Sequence, residues 1–257
     1  LCIKSSHGIP SASKGVISRK ATNRGCFFSF SSQGRKVAMT NTTPENPWQS
    51  LKPLYVLPED FAAIVHHRNY SNLRLDTLPD QVIGGLDKAE VVFLLLNPGF
   101  DDKDITVNLA LPEFVEANRR NLTDPFTSPF YYFDAGLEAT GGYIWWARIL
   151  KPLLRAGVTE AMLRDKIMAI EYFPYHSKSY KNLPVVPSQQ YAFNLVREAI
   201  RREKTIIIMR SPKLWLEAVP ELTDYPYMTL NSWLNITVSP KNLGEENFNS
   251  VLAKLEE

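Results

Sequence analysis

Residues 93–100, "FLLLNPGF", place an asparagine, a proline and a glycine at the end of the chain's most apolar run. Three acids come within a few positions of it: Asp101, Asp102 and Asp104. An amide offers hydrogen bonds but is no base, glycine admits a ligand close to the backbone, and carboxylates or a histidine can move protons. Histidine is scarce beyond residue 38, where it occurs as His66, His67 and His176. The adjacent His66 and His67 point in different directions on a helix, so no metal site is expected. Both cysteines, Cys2 and Cys26, precede residue 38. The rest of the chain therefore has no disulfide framework, no thiolate nucleophile and no cysteine-bound zinc or iron–sulfur cluster. No cofactor is expected.

The first 38 residues differ in kind from the rest of the chain. They carry seven of the 29 basic residues, no Asp or Glu, and many serines. This is the composition of an organellar transit peptide, or of upstream sequence read in front of a start at Met39. The missing initiator and the weak amphipathic periodicity favour the second. A disordered leader over 1–38 and a single domain over 39–257 are expected. The domain keeps 22 basic residues against 27 acidic ones, near −5, so a nucleic-acid partner would need a local basic patch. No apolar run is long enough to span a membrane.

The elements that must position these residues are legible as alternating patterns. Four short apolar runs, 91–96, 167–171, 205–209 and 235–238, predict strands buried on both faces. Helical patterns cover 59–66, 112–122, 143–155, 188–203 and 245–255, the fourth with Ser188 as its cap. The expected fold is α/β, a three-layer α/β/α domain on a four-stranded, mainly parallel sheet. Ligands of such sheets bind beyond the carboxyl ends of the strands. That rule selects "NPGFDDKD", "EYFPYHSKSYK", "RSPKLW" and "SPKNL".

Together these segments resemble the uracil-DNA glycosylase superfamily over most of residues 85–257. "LLLNPGF" is similar to the first motif of its mismatch-specific and thymine-DNA branch, and "SPKNL" to the last, a loop leading into a helix that inserts at the lesion. The resemblance implies a monofunctional enzyme that flips a pyrimidine out of DNA and cleaves its N-glycosidic bond. It implies that Asn97 holds the water, while Pro98, Gly99 and Phe100 face the base. Stronger branches have Asp in place of Asn97 and His in place of Ser239, so help is expected from Asp101 or His176.

Glu171 stands where uracil-specific relatives have an asparagine. A carboxylate accepts from a cytosine amino group and repels uracil's O4 unless burial keeps it protonated. This points to a modified cytosine, such as the glucosylated hydroxymethylcytosine of phages, and to antiviral defence. A structural pairing of Glu171 with Lys178 or Arg210 fits as well. Tyr132, in the aromatic run 128–136, is a candidate to stack on the base. Lys178, Arg210, Lys213, Ser239, Lys241 and Asn242 are candidates for DNA contacts.

Uracil or mismatch repair, and a non-catalytic nucleic-acid-binding domain on the same fold, are the alternatives. A hydrolase of the Gly-x-Ser-x-Gly type is excluded by the absent elbow. The expected state is a cytoplasmic bacterial monomer at the nucleoid, or an organellar protein if the leader is a transit peptide.

Overall fold

The computed structural model describes residues 45–51, 55–101, 104, 106, 110–232 and 234–257. The expected leader, the start at Met39, Cys2, Cys26 and Asp102 lie outside the described residues.

The apolar run folds as β3 (Val91–Leu95), in the middle of a mixed sheet. On one side lies β4 (Ile167–Glu171) and on the other β6 (Thr205–Ile208), both parallel to it. Successive strand residues point to opposite faces. Val92 and Leu94 accordingly enter one core with Met168, Ile170, Ile206 and Ile208. Val91, Phe93 and Leu95 enter the other, with Ile167, Ala169 and Ile207. A sheet buried on both faces needs helices on both, and they are present. Helix α6 (Gln189–Arg201) covers the first face through Ala192, Leu195, Val196 and Ala199, an apolar stripe at helical spacing. The second face is covered by α3 (Gly141–Ile149), α5 (Glu160–Lys166) and α9 (Glu245–Glu256), through Trp146, Leu163, Val251 and Leu255.

The expectation of a mixed α/β chain with a mainly parallel sheet holds, and its details change. The sheet has five strands in the order β2-β4-β3-β6-β7, with β2 (Val82–Ile83) antiparallel to β4. The fourth parallel strand is β7 (Tyr227–Thr229) and not 235–238. Ile236 and Val238 are buried, but in irregular chain that joins no ladder. A separate two-stranded ribbon pairs β1 (Leu73–Arg74) with β5 (His176–Ser177).

Two helices also depart from expectation. The pattern over 143–155 divides into α3 and α4 (Lys151–Arg155), because Pro152 has no N–H to continue the ladder. Ser188 does not cap α6 with its side chain. Its hydroxyl and its N–H donate to the buried Asp60 carboxylate instead. The remaining described helices are α1 (Pro58–Ile64), α2 (Pro112–Thr123), α7 (Pro212–Ala218) and α8 (Pro240–Leu243). No helix among the described residues is long and apolar enough to cross a membrane.

Candidate functional site

A cavity of about 600 Å³ opens beyond the carboxyl ends of β3, β4 and β6. The turn Asn97–Phe100 leaves β3 along one wall, Glu171 ends β4, and Arg210 comes just after β6. Asp101, Tyr132, His176 and Lys178 line it too. Ten of the fourteen site candidates therefore come together.

The turn is held against the small ribbon. Ser177 N–H donates to the Pro98 carbonyl at 3.2 Å. The Asn97 Nδ2 donates to Ser177 Oγ at 2.8 Å and to the Pro98 carbonyl at 2.9 Å. With the amide nitrogen so occupied, Oδ1 is the atom that Asn97 can offer to a water or ligand. His176 Nδ1 lies 2.8 Å from the Gly99 carbonyl. A carbonyl only accepts, so Nδ1 carries the proton and Nε2 of the neutral ring is left as a proton acceptor. Ser177, which sequence patterns did not single out, thus aims Asn97.

Gly99 has no structural reason to be glycine. Its φ is not in the left-handed region, and a β-carbon added there meets nothing within 4 Å. The space it leaves is that of the cavity. Gly99→Ala should therefore stabilise the fold by about 0.4–1 kcal/mol, through a stiffer unfolded chain, and narrow the site. A thermal melt checks the first half, and a lowered melting temperature would mean that the backbone itself needs the glycine.

The cavity is also lined by two buried acids, Glu171 and Asp80, and the second was absent from the sequence candidates. Glu171 is 6% exposed, and its Oε2 has no hydrogen-bond partner. Two other buried side-chain oxygens among the described residues share that condition, on Asn118 and Glu221, and neither residue lines the cavity. Burial first, and then the charge of Asp80, push the Glu171 carboxyl well above its ordinary range, with Arg210 acting in the opposite sense. Glu171 forms no ion pair with Lys178 or Arg210, so the structural pairing left open by the sequence is not made. Among the described residues the Arg210 guanidinium has no ion pair either.

Comparison of the chain with protein-family models, curated proteins and solved structures finds no match. The site stands on its geometry alone.

That geometry redistributes the remaining candidates. Tyr132 lines the cavity, but its ring lies so close to Gly142 that no β-carbon fits there. Its hydroxyl donates to Asp80 at 2.7 Å, which makes it a support for that acid. Phe100 carries the Arg74 guanidinium 4.3 Å above its ring and meets His176 edge-on. Trp145 and Trp146 complete an aromatic wall.

Lys213, Ser239, Lys241 and Asn242 do not line the cavity. Lys213 is exposed beside Glu217, and Lys241 is exposed on α8. Ser239 Oγ caps α8 by accepting from the Asn242 N–H. The Asn242 amide is buried and staples the preceding loop, donating to the carbonyls of Asn235 and Thr237 and accepting from the Ser232 N–H. Among the described residues no group of three or more His, Cys, Asp or Glu is placed to hold a metal ion.

Proposed function

We propose that the chain is a DNA glycosylase that takes a flipped pyrimidine nucleotide into this cavity and hydrolyses its N-glycosidic bond. One observation carries the proposal. An unpartnered buried acid, an aromatic wall and a guanidinium without an ion pair converge on one cavity, beside a turn whose glycine leaves open space. A nucleotide has a part for each: a polar base edge, a ring face, a phosphate, and a sugar that must come close to the backbone. The same reading assigns the sheet and its two helical layers to the uracil-DNA glycosylase type of fold.

The chemistry is set by the atoms available. Asn97 Oδ1 holds a water under the sugar. The water oxygen bonds to C1′ as the C1′–N bond breaks, the bonding pair leaves with the base, and His176 Nε2 takes the proton from the water. Negative charge growing on the base faces the N–H groups of Gly99 and Phe100. Arg210 and Lys178 at the cavity contact phosphate.

The polar segment His176–Tyr180 along the cavity favours a modified cytosine, and with it defence against phage. Repair of uracil or mismatched thymine is the second reading. Duplexes carrying uracil, a G·T mismatch, hydroxymethylcytosine or its glucosylated form distinguish them, incubated with the protein and then treated with alkali. Strand breaks are expected on at least one, with the glucosylated form favoured. Intact strands on all four, across pH and salt, would overturn the enzyme reading.

A further inference from the structure

Asp80 and Glu171 enter the cavity from adjoining chain. The Asp80 N–H donates to the Pro174 carbonyl at 3.1 Å, and the Glu171 N–H to the Gln81 carbonyl at 2.9 Å. Their hydrogen bonding is opposite in kind. Asp80 Oδ1 accepts from Tyr131 Oη at 2.9 Å and from Asn118 Nδ2 at 3.2 Å, and Oδ2 accepts from Tyr132 Oη. Glu171 Oε2 accepts from nothing. Two carboxylates buried side by side do not both ionise without a large cost. Three donors already aimed at Asp80 stabilise its negative form, so the proton belongs on Glu171.

We propose that Asp80 is a positioning residue that fixes Glu171 as a neutral carboxyl, which meets the ligand with an O–H donor and a C=O acceptor side by side. The electrostatics agree in direction. Burial raises both groups; at Asp80 a protonated His176 and then the phenol hydrogen bonds oppose the rise, leaving Asp80 above its ordinary range but less displaced than Glu171. At Glu171, Asp80 adds to the rise and Arg210 alone opposes it. The other titratable groups facing the cavity are His176 and Lys178 from the ribbon side and Asp101 and Asp104 beyond β3. The two phenols keep their protons, since burial and Asp80 hold both well above their ordinary range.

The consequence is a ligand class: a ring edge with an acceptor beside a donor. Cytosine N3 with its 4-amino group fits, and so does uracil O4 with N3–H, the proton lying on one carboxyl oxygen or the other. Glu171 so disposed does not separate the two bases. This revises the sequence-based expectation that an accepting carboxylate selects cytosine. Which base edge is read rests on the glycosylase reading; the placement of the proton does not.

The full chain, labelled with ¹³C at the glutamate δ-carbons, provides the test without DNA. The Glu171 resonance, assigned by its loss in Glu171→Gln, should sit at the neutral-carboxyl position at neutral pH, where exposed glutamates are ionised. In Asp80→Asn its titration midpoint should move to lower pH. Should that variant not fold, Tyr132→Phe reads the same coupling, since Asp80 with one donor fewer competes for the proton and the Glu171 midpoint falls. A Glu171 that titrates with the exposed glutamates, or a midpoint that neither change moves, overturns the proposal.

A second arm uses a duplex with one 2′-fluoro-2′-deoxyuridine, which resists cleavage. Glu171→Gln, retaining a donor beside an acceptor, should bind it at least about tenfold tighter than Glu171→Leu, one net hydrogen bond or more. Equal binding by the two variants overturns the donor–acceptor pairing. If the carbon signal behaves as expected and neither this duplex nor one carrying glucosylated hydroxymethylcytosine binds, the glycosylase reading fails and the proton placement stands.

Discussion

Asn97→Ala should slow base release by roughly 10²–10³-fold on whichever duplex the native chain cleaves, the scale expected for losing a group that positions the attacking water. The amide is fixed by Ser177 Oγ and the Pro98 carbonyl, and its Oδ1 is the part of the turn that can hold a water. Removing it costs the fold little, on the order of 1 kcal/mol for a partly buried hydrogen bond. Rate and stability therefore separate, which a single-turnover alkali assay and a thermal melt on the same preparation will show. A native rate in Asn97→Ala would take the water from Asn97.

Glu171 should behave in the opposite way, with its removal costing activity and increasing stability. The folded chain holds the Glu171 proton more tightly than the unfolded chain does. At pH values between the two pKa values the folded state carries the extra proton, so its stability falls as pH rises through that window. Below the ordinary carboxylate range both states are protonated and the penalty vanishes. Glu171→Gln, which cannot ionise, should therefore melt higher than the native chain at neutral pH, with the gap closing as the solution is acidified. Glu171→Met goes further by removing the unpartnered oxygen, a gain of about 1–3 kcal/mol, with roughly 2–4 °C per kcal/mol for a chain of this size. Melts at a series of pH values check both. A gap that widens on acidification would reverse the sign and place the proton elsewhere.

The strands that were legible in the sequence share one property, burial on both faces. The runs that became β3, β4 and β6 are continuous in apolar residues because no face of them meets water. The edge strand β7 lacks that signature. Each residue of β7 is partly or fully exposed, so "YMT" did not stand out, while Ile236 and Val238 imitated a strand by being buried without a ladder. The site was legible where its residues lie just past or at the ends of central strands, as Asn97, Glu171 and Arg210 do. Asp80 was not, because "LPDQ" has the composition of a turn and only the fold brings it beside Glu171. The aromatic run 128–136 was visible as rings, whereas the part that Tyr131 and Tyr132 play at the site comes from their hydroxyls.

The cavity is built on two frames of unequal rigidity. Glu171 is rooted in the five-stranded sheet, fixed by core on both faces. Ser177 Oγ, one partner of the Asn97 amide, and the ring of His176 belong to the ribbon, two residue pairs long, and so short a ladder has marginal stability of its own. On the glycosylase reading proposed above, recognition of the base and activation of the water depend on different scaffolds, which makes them separately tunable. Substitutions in the ribbon would then re-aim the water without disturbing Glu171, and a lineage would change its catalytic strength while keeping its substrate.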